Sequence, residues 1–150
     1  LFSLLVPPYK TPAALAYALE ACNMIMWSQN EQARLFLPQY SKHILSMYSQ
    51  FGDYEDVKQK IIQGLSTVLD LEPETLMEMN QLKMLLEVIL SALGQCDQKV
   101  SLSASELWTS LSVMIMVHEV AEPAQLEYFN SQLPRFYQAL LPCCRFSKED

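Results

Sequence analysis

Apolar residues recur at helical spacing along most of the chain. Leu15, Leu19, Cys22 and Met26 fall on one stripe, with Ile25 beside it, and predict a helix from Pro12 to about Ser28. The interleaved alanines strengthen that helix and let another approach it closely. A polar turn at Gln29–Gln32 leads to a second helix over about Glu31–Phe51. Its apolar face carries Tyr40, Ile44, Leu45, Met47, Tyr48 and Phe51. Pro38 lies inside this stretch, so it either kinks one helix or starts a new one near Leu37. Val57, Ile61, Leu65, Val68 and Leu69 repeat the pattern in a third helix. Leu76, Met79, Leu82, Leu86, Ile89, Leu90 and Leu93 repeat it in a fourth.

The residues between these stripes punctuate them. Thr11-Pro12 reads as a helix start, with Thr as cap and Pro at the first helical position. Gly52 stops the second helix, and Asp53 caps the third, with Glu55 and Asp56 favourable to its dipole. Gly64 falls mid-helix at a cost of about 1 kcal/mol against Ala, which points to close packing of a neighbour there. Pro73 opens the fourth helix and Gly94 ends it. Cys96–Leu102 reads as a loop, and Ser103-Ala104-Ser105-Glu106 as a capping box. The fifth helix then carries Leu107, Trp108, Leu111, Ile115 and Val117, ending near Val120. Pro123 opens the last one, with Leu126, Phe129, Leu133, Phe136, Tyr137, Leu140 and Leu141. Pro134 lies inside it much as Pro38 lies inside the second helix. Phe146–Asp150 is a polar tail.

Three helix pairs result, at about 12–52, 53–94 and 103–142. Gly52 and Gly94, 42 positions apart, both follow the second helix of a pair. Met24-Ile25-Met26-Trp27 is echoed by Met114-Ile115-Met116-Val117, and Leu37-Pro38-Gln39-Tyr40 by Leu133-Pro134-Arg135-Phe136. A period near 40–47 with two helices per unit resembles the HEAT and armadillo class of α-solenoids. That resemblance implies an all-α fold of about three antiparallel pairs stacked as a right-handed solenoid. It covers nearly all of residues 1–150, read as one helical-repeat domain. The chain departs from the HEAT pattern in lacking an Asp-Val-Arg type turn between paired helices. A six-helix bundle is the alternative architecture.

Composition fits the helical reading. Hydrophobic residues make up 51% of the 150, and the three glycines are too few for a turn-rich β fold or Gly-rich phosphate loops. A net charge of −7, with ten Lys and Arg spread thinly, offers no basic face for nucleic acid. No stretch reaches the roughly 18 apolar residues of a membrane span. Cys22, Cys96, Cys143 and Cys144 form no Cys-x-x-Cys pair, and buried free thiols in a reducing cytoplasm or nucleus are expected. A chain beginning with Leu1, and an apolar Leu1–Val6 that reads as the end of a cut helix, suggest a piece of a longer solenoid.

Catalytic motifs are not recognisable. His43 and His118 lack the i, i+4 spacing of a zinc helix, and no nucleophile elbow, P-loop or dinucleotide fingerprint occurs. No enzyme activity, cofactor or metal is therefore expected. The alternating methionines cannot all face one core, so some are expected to line a groove suited to a helical partner. Tyr9, Tyr17, Tyr54 and Tyr128 could add to such a surface. The expected function is an intracellular interaction scaffold binding a peptide, a helix, a partner subunit or neighbouring repeats. Its candidate contacts are Tyr40, Lys42, His43 and Met47, and in the third unit Arg135 and Tyr137. Two alternatives are a nuclear transport receptor segment, loosely resembling the importin/exportin type, and a secreted helical-bundle ligand.

Overall fold

The computed structural model of the protein describes residues 12–28, 31–50, 54–94 and 98–143. The apolar Leu1–Val6, the caps at Thr11 and Asp53, the stop at Gly52, Tyr9, Cys96, Cys144 and the tail from Phe146 lie outside those residues. Within them the fold is all-α, without a strand. The helices are α1 (Pro12–Trp27), α2 (Glu31–Arg34), α3 (Leu37–Gln50), α4 (Glu55–Leu71), α5 (Pro73–Leu76), α6 (Met79–Leu93), α7 (Gln98–Met116) and α8 (Pro123–Cys143).

Local chemistry sets most of the boundaries. Pro38 begins a new helix: α2 is a single turn, and α3 starts one residue before the proline. Pro134 behaves differently, because α8 runs through it unbroken from Pro123 to Cys143. The echo between the two prolines is therefore one of sequence, not of backbone. Pro73 occupies the first turn of α5, but this helix lasts only to Leu76. The chain restarts at α6, where the Glu78 side chain accepts the Gln81 N–H at 3.0 Å and caps the exposed first turn. Gly94 closes α6 from a right-handed conformation, φ −82°. At the start of α4 the N-cap is Tyr54, whose side chain does not cap the first turn, while Glu55 and Asp56 sit in that turn as expected.

The capping box at Ser103 is not formed. Helix α7 begins at Gln98, which puts Ser103 inside it and buried. Val100 extends the stripe of Ala104, Leu107, Leu111 and Ile115 by one turn, and its burial outweighs the loop-like serines around it. Those hydroxyls fold back onto the helix: Ser105 donates to the Ser101 carbonyl at 3.0 Å and Ser112 to that of Trp108 at 2.8 Å. The helix also ends earlier than Val120, at Met116. The chain then turns through Glu119, which holds a left-handed φ of 53°.

Helix α4 lies against α1, α3 and α7, and α6 against α3, α7 and α8. So α1, α4 and α7 form one row and α3, α6 and α8 another, joined where α3 meets α4 and α6 meets α7. This is the packing of a helical bundle or of stacked repeats. The sequence neighbours that approach backbone to backbone, α3 with α4 and α6 with α7, straddle the positions near 52 and 94 where the pairs were divided. Helices α7 and α8 meet through long side chains instead. Trp108 stacks on Phe136 at 3.9 Å between centroids and on Phe129 at 5.3 Å.

One continuous core fills the space between the rows, with Tyr40, Phe129 and Phe136 its largest fully buried side chains. Each buried Leu, Ile or Phe contributes about 1.5–3 kcal/mol of hydrophobic stabilisation. Polar bonds fix the register. The Ser41 hydroxyl donates to Gln81 Oε1 at 2.9 Å between α3 and α6, where both residues are buried. Arg34 of α2 donates to the Leu71 carbonyl at 3.3 Å, satisfying the C-terminal end of α4.

Candidate functional site

The sequence-derived contact residues divide between core and surface. Tyr40 and Met47 are buried on the inner face of α3, so neither presents a side chain to a partner. This corrects their assignment as contacts. Both occupy the stripe that α3 turns toward α4 and α6, and their apolar bodies are buried there. Lys42 is exposed and His43 half-buried on the same helix. Arg135 and Tyr137 are exposed on α8, which α6 separates from α3 in their row. Arg135 is committed to an ion pair, with Nη1 2.7 Å and Nη2 3.3 Å from the two Glu87 carboxylate oxygens. That bond holds its guanidinium above its ordinary pKa. The structure does not gather these candidates into one site.

A groove of about 680 Å³ opens between α3, α4 and α6. Leu45, Met84 and Val88 give it an apolar floor, and Ser49, Ser91, Lys58 and Lys83 supply polar groups. Lys58 is only 3% exposed, and its ammonium lies 5.7 Å from the centre of the Tyr48 ring. Lys83 faces the Tyr128 ring at 5.3 Å. Tyr48 lines the same groove, and its buried hydroxyl lies beside Ser91. Desolvation pushes this phenol up, nearby Ser91 opposes the shift, and the Glu55 carboxylate adds to it.

Sequence reading missed Lys58 and Lys83. The available signal was Lys58 itself, which falls on the stripe of Ile62, Leu65 and Leu69, where a lysine breaks an apolar run. For Lys83 no signal existed, because an exposed lysine on an amphipathic helix is ordinary.

The second feature is the distribution of exposed apolar side chains. Helix α1 carries Tyr17 and Met24, 73% and 68% exposed, with Ile25 and Trp27 near its end. Helix α7 carries Leu102, Val113 and Met116, followed by Val117, and α8 carries Tyr137 and Leu141. Leu35 and Phe36 project from the link into α3. Of the alternating methionines, Met24 and Met116 face outward, Met26 is buried, and Met114 packs on the core while partly exposed. Tyr54 is exposed, and Tyr128 is half-buried beneath Lys83.

Cys22 is a free thiol, buried on α1, and burial raises its pKa. Among the described residues no three His, Cys, Asp or Glu side chains converge as a metal site would require. None of their helices is long and apolar enough to cross a membrane. Comparison with protein-family models, with curated proteins and with solved structures finds no match to this chain.

Proposed function

We propose that this chain is a non-catalytic interaction scaffold, a segment of stacked helical repeats that binds helical or peptide partners on the outer faces of its end helices. The supporting observation is where the exposed large apolar residues lie. The inner helices α4 and α6 carry almost none, Met84 apart, whereas α1, α7 and α8 at the row ends carry most of them. In a stack, each repeat covers its neighbour, and an end helix keeps an apolar face that another helix can cover. Large exposed apolar patches on soluble chains mark such contacts. Tyr137 belongs to this surface through Leu141 one turn on; Lys42 and His43 do not.

A photo-crosslinking residue tests this reading. It is placed singly at Met116, Tyr137 or Lys42 in the full-length protein and activated in cells. Adducts with helical segments, of the same chain or a partner, are expected from Met116 and Tyr137, and none from Lys42. Equal yields at all three positions, or no adduct at the first two, would reject it.

A further inference from the structure

We propose that the groove between α3, α4 and α6 binds a small carboxylate with an aliphatic body. The anion is held by Lys58 and Lys83, and the chain lies on Leu45, Met84 and Val88. This inference is independent of the outer faces of the end helices.

Two lysines, one from α4 and one from α6, line this groove. Lys58 is a buried residue whose ammonium meets the ring face of Tyr48, which supplies only part of a counter-charge. Among the described residues neither Lys58 nor Lys83 forms an ion pair. The natural partner of Lys83 is Glu87, one turn further along α6. Arg135 of α8 takes both oxygens of that carboxylate. The interhelix ion pair thus leaves Lys83 without a carboxylate at the rim of the groove. Tyr48 adds a third group: it is 6% exposed, lines the cavity, and its hydroxyl lies beside Ser91 on the groove wall.

Two cations and a phenol converge, in a chain of net charge −7, on a cavity with an aliphatic floor. Among the described residues Glu55 also acts on Tyr48, and its Oε2 is buried without a partner. A volume of about 680 Å³ lies within the usual range of small-ligand pockets, roughly 300–1,000 Å³. The matching ligand has one anionic head and a short apolar tail.

Titrations of the full chain with octanoate, 1-octanol and acetate, followed by amide chemical shifts and calorimetry, test this. Octanoate is expected to bind saturably, with shifts at Tyr48, Ser49 and Lys83–Ser91. Octanol, with the chain but no charge, is expected to bind about tenfold more weakly, the loss of a charge-assisted bond. Acetate should bind more weakly still, lacking the chain. Lys83→Gln is solvent-exposed and should fold normally; it is expected to lose about tenfold for octanoate and little for octanol. Tyr48→Phe, which removes only the hydroxyl, provides a second variant expected to lose about threefold. The proposal is overturned if octanol binds as well as octanoate, if Lys83→Gln leaves octanoate affinity unchanged, or if the shifts fall outside the groove.

Discussion

The Tyr40 hydroxyl donates to the side-chain oxygen of Asn23 directly over Gly64. Asn23 in turn donates to the Lys60 carbonyl at 3.1 Å, so one polar knot ties α1 and α3 to the middle of α4. A Cβ on Gly64 would come 2.7 Å from Asn23 Oδ1 and 3.1 Å from both Ile44 Cδ1 and the Tyr40 hydroxyl. Gly64→Ala gains about 1 kcal/mol of helix propensity. It must also displace an amide bonded on two sides, and such overpacking costs about 1–3 kcal/mol. The amide has nowhere to retreat without breaking a bond, so the cost falls at the upper end and a net destabilisation of up to about 2 kcal/mol is expected from urea midpoints. Adding Asn23→Ala removes the clash. The alanine at 64 should then be neutral or stabilising in that background, a coupling of at least about 0.5 kcal/mol.

The same knot predicts an alkaline limit to stability. Burial pushes the Tyr40 phenol well above its ordinary value near 10, and the neighbouring Cys22 adds to the shift. The folded state therefore holds this proton at pH values where the unfolded chain releases it. The contribution is fully present below about pH 10 and is lost as pH rises beyond it. Tyr48 is shifted in the same direction. Tyr40→Phe should cost about 1–2 kcal/mol at neutral pH, because Asn23 loses its donor. Above about pH 10 its stability should fall less steeply than that of the parent. Urea unfolding between pH 7 and 12 measures both effects; parallel pH curves would refute the assignment.

How much of this was legible follows from what periodicity can carry. Leu15, Leu19, Cys22 and Met26, and Val57, Ile61, Leu65, Val68 and Leu69, are buried as their spacing implies, because a 3.6-residue stripe encodes its own burial. Gly64 was legible as a close approach, since a mid-helix glycine needs a reason. What approaches it was not, because Asn23 and Tyr40 are 41 and 24 positions away in sequence. The division into pairs rested on loop punctuation, which does not encode which faces meet. Tyr40 and Met47 were misplaced because residue type suggests a contact while helical phase decides burial. The groove depends on three helices and on an ion pair spanning 48 positions, a relationship no local pattern holds.

Helix α8 is attached by rings. Trp108 stacks on Phe136 and Phe129, and α7 and α8 have no comparable backbone approach. Trp108→Ala should cost about 2–4 kcal/mol, somewhat below a fully buried tryptophan because this one is half-buried. The loss should be regional. Amides of α8 are expected to exchange faster while those of α4, at the centre of the other row, keep their protection. A uniform rise in exchange across the chain would show that α8 does not open independently.

Ser103 provides a direct test of where α7 begins. As an N-cap it would hold the first turn, and its replacement by alanine would cost about 1 kcal/mol. In the structure it lies five residues inside the helix and is buried beside Ala104. The true start is held elsewhere. Val100 is fully buried, and the Ser101 hydroxyl reaches the Ala92 and Leu93 carbonyls at 3.4 Å, joining the start of α7 to the end of α6. Alanine at an interior helical position is favoured over serine by about 0.5 kcal/mol. Ser103→Ala is therefore expected to be neutral or slightly stabilising in urea unfolding. Val100→Ala, which shortens the buried stripe at its first turn, should cost about 1–3 kcal/mol. The reverse order of these two effects would move the helix start back to Ser103 and restore the loop before it.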